Sequence, residues 1–261
     1  TSINALYEMT KRFTAEGDIR PFIEKYPEET MTFLHKLTQD KSPFARRLAS
    51  EGTRPRLPLF SRLPKFQRDP LPVIQLLEKL KTDTNLMVRR SVANNLNDIA
   101  KDNPDVVVET LSGWQKTNPS KEMDWVISHS LRTLLKDGHP GALRLMGYDS
   151  NIEISVSEIH LSDENPAIGD EINFSFTVTS LEDTASKVMI DYIVYFMKAN
   201  GKQAPKVFKA AKKTLAAGET ITITKKHSFQ QRSTRKHYSG AHSLEVQING
   251  KKYTRANFEL V

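Results

Sequence analysis

The sequence predicts two domains of different class: an α-helical HEAT-like repeat solenoid over residues 1–149, then an immunoglobulin-like β-sandwich over residues 152–261. Three observations carry this. Ser42–Pro58 and Asn85–Ala100 repeat one charge pattern 43 residues apart, each with an arginine pair (Arg46-Arg47, Arg89-Arg90) near a helix start after Asp40 or Asp83. A period above thirty residues marks a helical solenoid. Near Ser150 the apolar period changes from helical to alternating, and several short alternating runs follow in some 110 residues.

Helical periodicity spans Ile3–Phe13, Thr30–Leu37, Pro43–Gly52, Pro72–Leu80, Leu86–Ala100, Pro104–Trp114, Met123–Leu135 and Gly141–Met146, with prolines at the expected starts and stops. In the helix from Leu86, Val88, Val92, Leu96 and Ile99 share one arc, and Arg90, Asn94, Asn97 and Asp98 another. A third, less regular copy at Trp125–Lys136 aligns Ile127 with Val92 and Leu131 with Leu96. Strands are expected at Ile152–Leu161, Glu171–Ser180, Lys187–Lys198, Thr220–Phe229, His242–Ile248 and Lys252–Leu260, with Ile172, Phe174, Phe176 and Val178 facing inward. Asn249-Gly250 is a hairpin-turn signal.

The net charge of +7 is unevenly spread. Residues 41–68 hold eight Lys/Arg and only Glu51 as an acid, and residues 186–261 hold fifteen against four acids. Two basic zones suit an anionic polymer. The chain has no cysteine, which removes disulfides and thiolate chemistry, and no membrane-length apolar run. His129 has no ligand partner at metal-binding spacing, and phosphate loops, catalytic triad orders and zinc motifs are absent, so neither metal nor cofactor is expected.

Taken alone, the acids signal little. Glu51 has the spacing of a surface pair with Arg47. Asp98 sits where the helix dipole disfavours it, after Asn94, Asn95 and Asn97, all poor helix formers. Thr53-Arg-Pro-Arg-Leu-Pro58 is a stiff turn whose Arg54 and Arg56 suit either phosphate binding or capping of helix carbonyls. Lys225–Tyr238, carrying Lys225, Lys226, Arg235 and Lys236 among aromatics, suits backbone contacts with stacking, or equally a charged inter-strand loop.

The segments Ile19–Phe22, Arg46–Pro58, Val88–Lys101 and Ser130–Lys136 resemble the bacterial AlkC alkylpurine DNA glycosylases, and the likeness covers most of residues 10–147. One branch of that family carries a C-terminal immunoglobulin-like domain, and its members commonly begin with helices that would precede Thr1. The resemblance implies excision of 3-methyladenine and 3-methylcytosine from duplex DNA by Glu16, Glu51 and Asp98. Which acid orients water stays open. It also implies DNA contacts from Arg46, Arg47, Arg54, Arg56, Arg89, Arg90, Asn94, Asn95 and Arg132, and a lesion pocket from Leu59, Phe60 and Trp125. Where the family commonly has Trp after Arg-Leu-Pro, this chain has Leu59, followed by Phe60. The sandwich is expected to clasp the duplex. A monomer of the bacterial cytoplasm, associated with the nucleoid, is the corresponding expectation. Two alternatives stand beside it: a non-catalytic repeat protein that binds bent, branched or damaged DNA, and a protein-interaction scaffold.

Overall fold

The computed structural model describes residues 2–233 and 236–261. Eleven helices come first among the described residues: α1 (Ser2–Arg12), α2 (Arg20–Lys25), α3 (Pro27–Leu37), α4 (Pro43–Gly52), α5 (Pro64–Arg68), α6 (Leu71–Glu78), α7 (Leu86–Ile99), α8 (Pro104–Thr117), α9 (Lys121–Ser130), α10 (Arg132–Lys136) and α11 (Pro140–Leu145). Seven of these have proline in the first turn, where a missing N–H costs nothing. Helix α3 packs on α4 and α8 on α9, α6 lies against α4, and α7 packs between α4 and α9. Val88, Val92, Leu96 and Ile99 of α7 are completely buried, as the helical period requires.

The predicted helix Met123–Leu135 breaks at Leu131. Thr133 N donates to Asn97 Oδ1 (3.3 Å), and the His129 carbonyl accepts from the Arg132 guanidinium. A side chain of the neighbouring repeat has thus taken over a backbone bond of the helix ladder.

Strands β1 (Ile154–Val156), β2 (His160–Leu161), β3 (Glu171–Ser180), β4 (Ser186–Met197), β5 (Gln203–Leu215), β6 (Thr220–Ser228), β7 (Gly240–Ile248) and β8 (Lys251–Leu260) form two antiparallel sheets. In one, β1 and β2 share an edge of β3 and β6 takes its other edge; the second runs β5-β4-β7-β8. The inward row Ile172, Phe174, Phe176 and Val178 is at most 1% exposed, facing Ile190, Val194, Leu244 and Val246 in one core. Asn249 and Gly250 both adopt positive φ (44° and 80°), the conformation of a tight hairpin turn.

The sequence divides the chain at residues 149–152, whereas its compact units are Thr1–Leu134 and Leu135–Val261. Side-chain bonds explain the difference. Gln247 Nε2 donates to the Lys136 carbonyl (2.9 Å), and Asn249 Nδ2 donates to that of Asp149 (2.7 Å). Gly138 and Gly250 meet so closely that a Cβ on Gly250 would lie 2.4 Å from the Gly138 Cα. Residues 135–149 therefore belong with the sandwich.

Asp191 of β4 is 4% exposed, and its pairing partner in β5 is Lys209. Burial pushes its carboxyl up to about 6, with Lys136, Lys209 and Lys212 opposing the rise. The folded value exceeds the unfolded one, so the folded state binds this proton more tightly and loses stability as pH rises from about 4 to 6. The shift of about two units corresponds to roughly 3 kcal/mol. Asp191→Asn is accordingly expected to raise the melting temperature at pH 7.5 and to match the parent chain near pH 4, as read by calorimetry at both pH values.

Candidate active site

The two Arg-Arg pairs divide their labour. Arg46 Nη1 donates to the carbonyls of Asp40 (2.8 Å) and Lys41 (3.1 Å), while Arg89 Nη1 donates to those of Asp83 (2.6 Å) and Thr84 (3.0 Å). Each first arginine thus ties down the loop that precedes its own helix. Asp40 and Asp83 brace the same loops by accepting from Ser42 N and Asn85 N, and Asp83 also takes a two-pronged bond from Arg46. Arg46 and Arg89 thus fasten the loops of the repeat; the donors of Arg46 are spent inside it, whereas the buried Arg89 Nε has no hydrogen-bond partner among the described residues. The second arginines differ: Arg90 is exposed, and Arg47 turns toward an acid.

Glu51 is the penultimate residue of α4, Asp98 lies in the last turn of α7, and Glu16 sits in the turn before α2. Packing of α4 on α7 puts Ser91 against Glu51, its hydroxyl donating to Oε2 at 2.6 Å. Two prolines keep the chain after α4 out of helix and fold Arg54 back over the acids. Arg54 donates from Nη1 to Glu51 Oε1 (2.6 Å) and from Nε to Asp98 Oδ2 (2.8 Å). Lys101 holds the other Asp98 oxygen at 3.2 Å. Arg47 donates to Glu16 Oε1 at 3.1 Å and lies 4.0 Å from Glu51 Oε1. Glu16, Glu51 and Asp98, spread over 83 positions of sequence, are thereby brought into one cluster joined by Arg47 and Arg54.

The electrostatics favour this arrangement. Burial works against the Arg54 guanidinium, yet its bonds to Asp98 and the charge of Glu51 outweigh that and hold it above the ordinary arginine value. The opposing dipole at the end of α7 is offset by two cations on Asp98. Glu51 has its closer partner in Arg54, not in Arg47 as the spacing suggests, and it is 7% exposed where a surface pair was expected. Glu16 Oε2 is buried and finds no hydrogen-bond partner among the described residues.

Other predicted residues fall into two groups. Arg54 and Asn95 are corrected from DNA contacts to internal ones. Arg54 is 8% exposed and bonded to both Glu51 and Asp98; Asn95 is 0% exposed and donates to the Ser50 carbonyl (2.7 Å) and Thr53 Oγ1 (3.1 Å). Arg56 makes a two-pronged pair with Asp102, which Gln67 also contacts. Asn94 accepts from Arg132 Nη2 and bonds His129 Nε2, both at 3.1 Å. Burial, then the charges of Arg132 and Arg90, push the His129 imidazole down, and its ring stacks on Trp125 at 4.9 Å. By repeat register Glu51, Asn94 and His129 are equivalent positions on successive helices. Trp125 thus borders the His129–Asn94–Arg132 group.

Leu59 and Phe60 form the tip of the segment after Arg54. Leu59 is fully exposed and held at φ 68°, a conformation rare for a branched side chain. The Phe60 ring lies over Gly17, where any Cβ would fall 2.0 Å from it, and so borders Glu16. In the β unit Lys225 is half-buried, Lys226 pairs with Glu171, and Lys236 stands over the Tyr238 ring. Arg235 lies outside the described residues. No group of three or more His, Asp or Glu among the described residues is placed to hold a metal.

Sequence reasoning missed Ser50, Ser91, Lys101 and Arg20 as parts of this region. Ser91 alone carried a signal, facing Leu48 across the repeat alignment as an unexpected polar residue.

Residues 155–261 match the family described as "Uncharacterised protein YhaZ, C-terminal Ig-like domain". The whole chain is similar to "Uncharacterized protein YhaZ" of Bacillus subtilis (strain 168), at 40% identity over 99% of this chain and 71% of that protein. It is also similar to the solved structure of the Pseudomonas fluorescens alkylpurine DNA glycosylase AlkC bound to DNA containing an abasic site analog. That likeness has a TM-score of 0.94 and 38% identity, and covers 100% of this chain and 72% of the other. With identity at this level along nearly its full length, the chain belongs to the family of AlkC and YhaZ.

Proposed function

We propose that this protein is a DNA glycosylase that hydrolyses the N-glycosidic bond of cationic alkylated bases, 3-methyladenine and 3-methylcytosine, in duplex DNA, leaving an abasic site. The observation that carries this reading is the gathering of Glu16, Glu51 and Asp98 around Arg47 and Arg54, in a chain similar throughout to an alkylpurine DNA glycosylase. An N3-methylated base is positively charged and leaves without prior protonation. Bond cleavage then develops an oxocarbenium-like sugar cation, as in glycoside hydrolysis. Carboxylates fixed beside that sugar stabilise the cation, and because their partners already hold them in place, little reorganisation is needed during the reaction. Glu51 and Asp98 take this role. Glu16, with Oε2 unengaged, contacts the lesion.

Exposed Arg90, with Lys225, Lys226 and Lys236 of the β unit, supplies phosphate contacts for a protein that acts as a monomer on nucleoid DNA. No helix among the described residues is long and apolar enough to cross a membrane. Incubation with DNA containing 3-methyladenine tests the function: free base and an alkali-labile abasic site are the expected products. Stable retention of damaged DNA without base release would replace the glycosylase with a damage-binding protein.

Leu59 and Phe60 belong to the lesion side of this reading. An aromatic ring at the exposed tip adds stacking worth about 1–3 kcal/mol per base. Leu59→Trp is thus expected to raise single-turnover base release on the order of 10-fold. Unchanged release would remove the tip from the lesion contacts.

A further inference from the structure

Arg20, the first residue of α2, is 1% exposed, and its guanidinium bonds backbone carbonyls. Nη1 donates to the carbonyls of Gly52 (3.1 Å) and Arg54 (2.9 Å), while Nε (3.0 Å) and Nη2 both donate to that of Ser61. All three acceptors lie in one segment, residues 52–61, which follows Glu51, contains Arg54 and ends in the Leu59–Phe60 tip. Ile19 locks the same junction, since a Cβ on Gly52 would lie 2.5 Å from its Cγ2. Burial lowers the Arg20 guanidinium to about 10, against the distant charges of Glu24 and Asp98. Packing alone would favour an apolar side chain here, because a buried cation is costly. What a guanidinium adds is a rigid planar fork of five donors.

We infer that Arg20 is a positioning residue: its fork gathers the carbonyls of Gly52, Arg54 and Ser61 so that the Arg54 side chain is held between Glu51 and Asp98. The inference rests on the glycosylase reading for its consequence, though not for its geometry. A lysine offers donors from a single point and cannot span three carbonyls, so charge without the fork does not substitute. Arg47, Arg54, Lys101 and Arg132 are the cations around the acid cluster, and Glu16 is its third acid. Displacing Arg54 leaves Glu51 and Asp98 less well separated by positive charge.

The test uses Arg20→Lys and Arg20→Gln in the whole chain, with circular dichroism as the fold check and two readouts. The first is the Arg54 Nε–H signal in 15N NMR, which needs no activity; in both variants it is expected to lose protection from solvent exchange as its bond to Asp98 loosens. The second is single-turnover base release, expected to fall about 100-fold at saturating DNA with DNA affinity little changed, as for a misplaced catalytic group. A folded variant whose Arg54 Nε–H stays as protected as in the parent chain overturns the inference, and so does failure of both variants to fold, which would assign Arg20 to global stability. If the parent chain itself releases no base, the glycosylase reading fails alone and the exchange measurement still decides the role of Arg20.

Discussion

Asp98→Asn is expected to lower single-turnover base release by about 10²–10³-fold while DNA binding persists. The substitution keeps the shape of the side chain and removes the charge that faces the developing sugar cation. It also alters the fold locally, since Asp98 is 2% exposed and bonded to both Arg54 and Lys101. Breaking a buried pair from one side typically costs about 3–5 kcal/mol. Glu51 keeps its hold on Arg54 and limits that loss. Release is therefore measured well below the melting temperature of the variant, with DNA affinity recorded alongside. Normal release would remove Asp98 from the chemistry, and joint loss of release and DNA binding would point to the fold.

The two architectures were legible because their periods are strong. The inward row of β3 and the apolar arc of α7 follow from spacing alone. The elements that escaped had weak or contrary signals. Helices α2 and α5 have six and five residues, too few for a helical period to show. Strand β5 reads Gln-Ala-Pro-Lys-Val-Phe-Lys-Ala-Ala-Lys-Lys-Thr-Leu, with a proline, four lysines and three alanines. Such residues are tolerated because β5 is an edge strand that pairs, among the described residues, with β4 alone, where Pro and Lys also discourage pairing with other chains.

The site was legible in a different sense. Glu16, Glu51 and Asp98 came from motif likeness, since spacing alone gave Glu51 a surface partner. Their meeting depends on how α4, α7 and the turn before α2 pack, and no local pattern encodes that. The asparagines of α7 show the same limit. Their poor helix propensity marked the region as special, but the reason differs at each position. Asn95 ties α7 to the end of α4, Asn97 holds Thr133 after α9, and only Asn94 joins the group beside Trp125. Basic charge was the least specific signal: of the arginines expected on DNA, Arg46, Arg54 and Arg56 pair with acids inside the helical unit, and Arg89 bonds the carbonyls of its own loop.

The strongest consequence of that internal use concerns Arg54. Arg54→Met keeps much of the stem and removes a cation bonded to both Glu51 and Asp98. Two buried carboxylates are then left with Ser91, Lys101 and the more distant Arg47 as partners. The loss of a buried partner is expected to cost about 3–5 kcal/mol near pH 7. Like charges sharing a site favour protonation of one of them. The stability penalty should therefore shrink as the solution is made more acidic, the reverse of ordinary acid denaturation. Base release should respond in the opposite sense, because a protonated acid no longer stabilises a sugar cation. Relative to the parent chain, release by the variant should therefore fall more on the acid side of the profile than on the alkaline side. Melting curves and single-turnover release on the same pH series read both effects. A variant that melts like the parent chain at every pH, with an unshifted release profile, would show that the acids do not depend on the guanidinium between them.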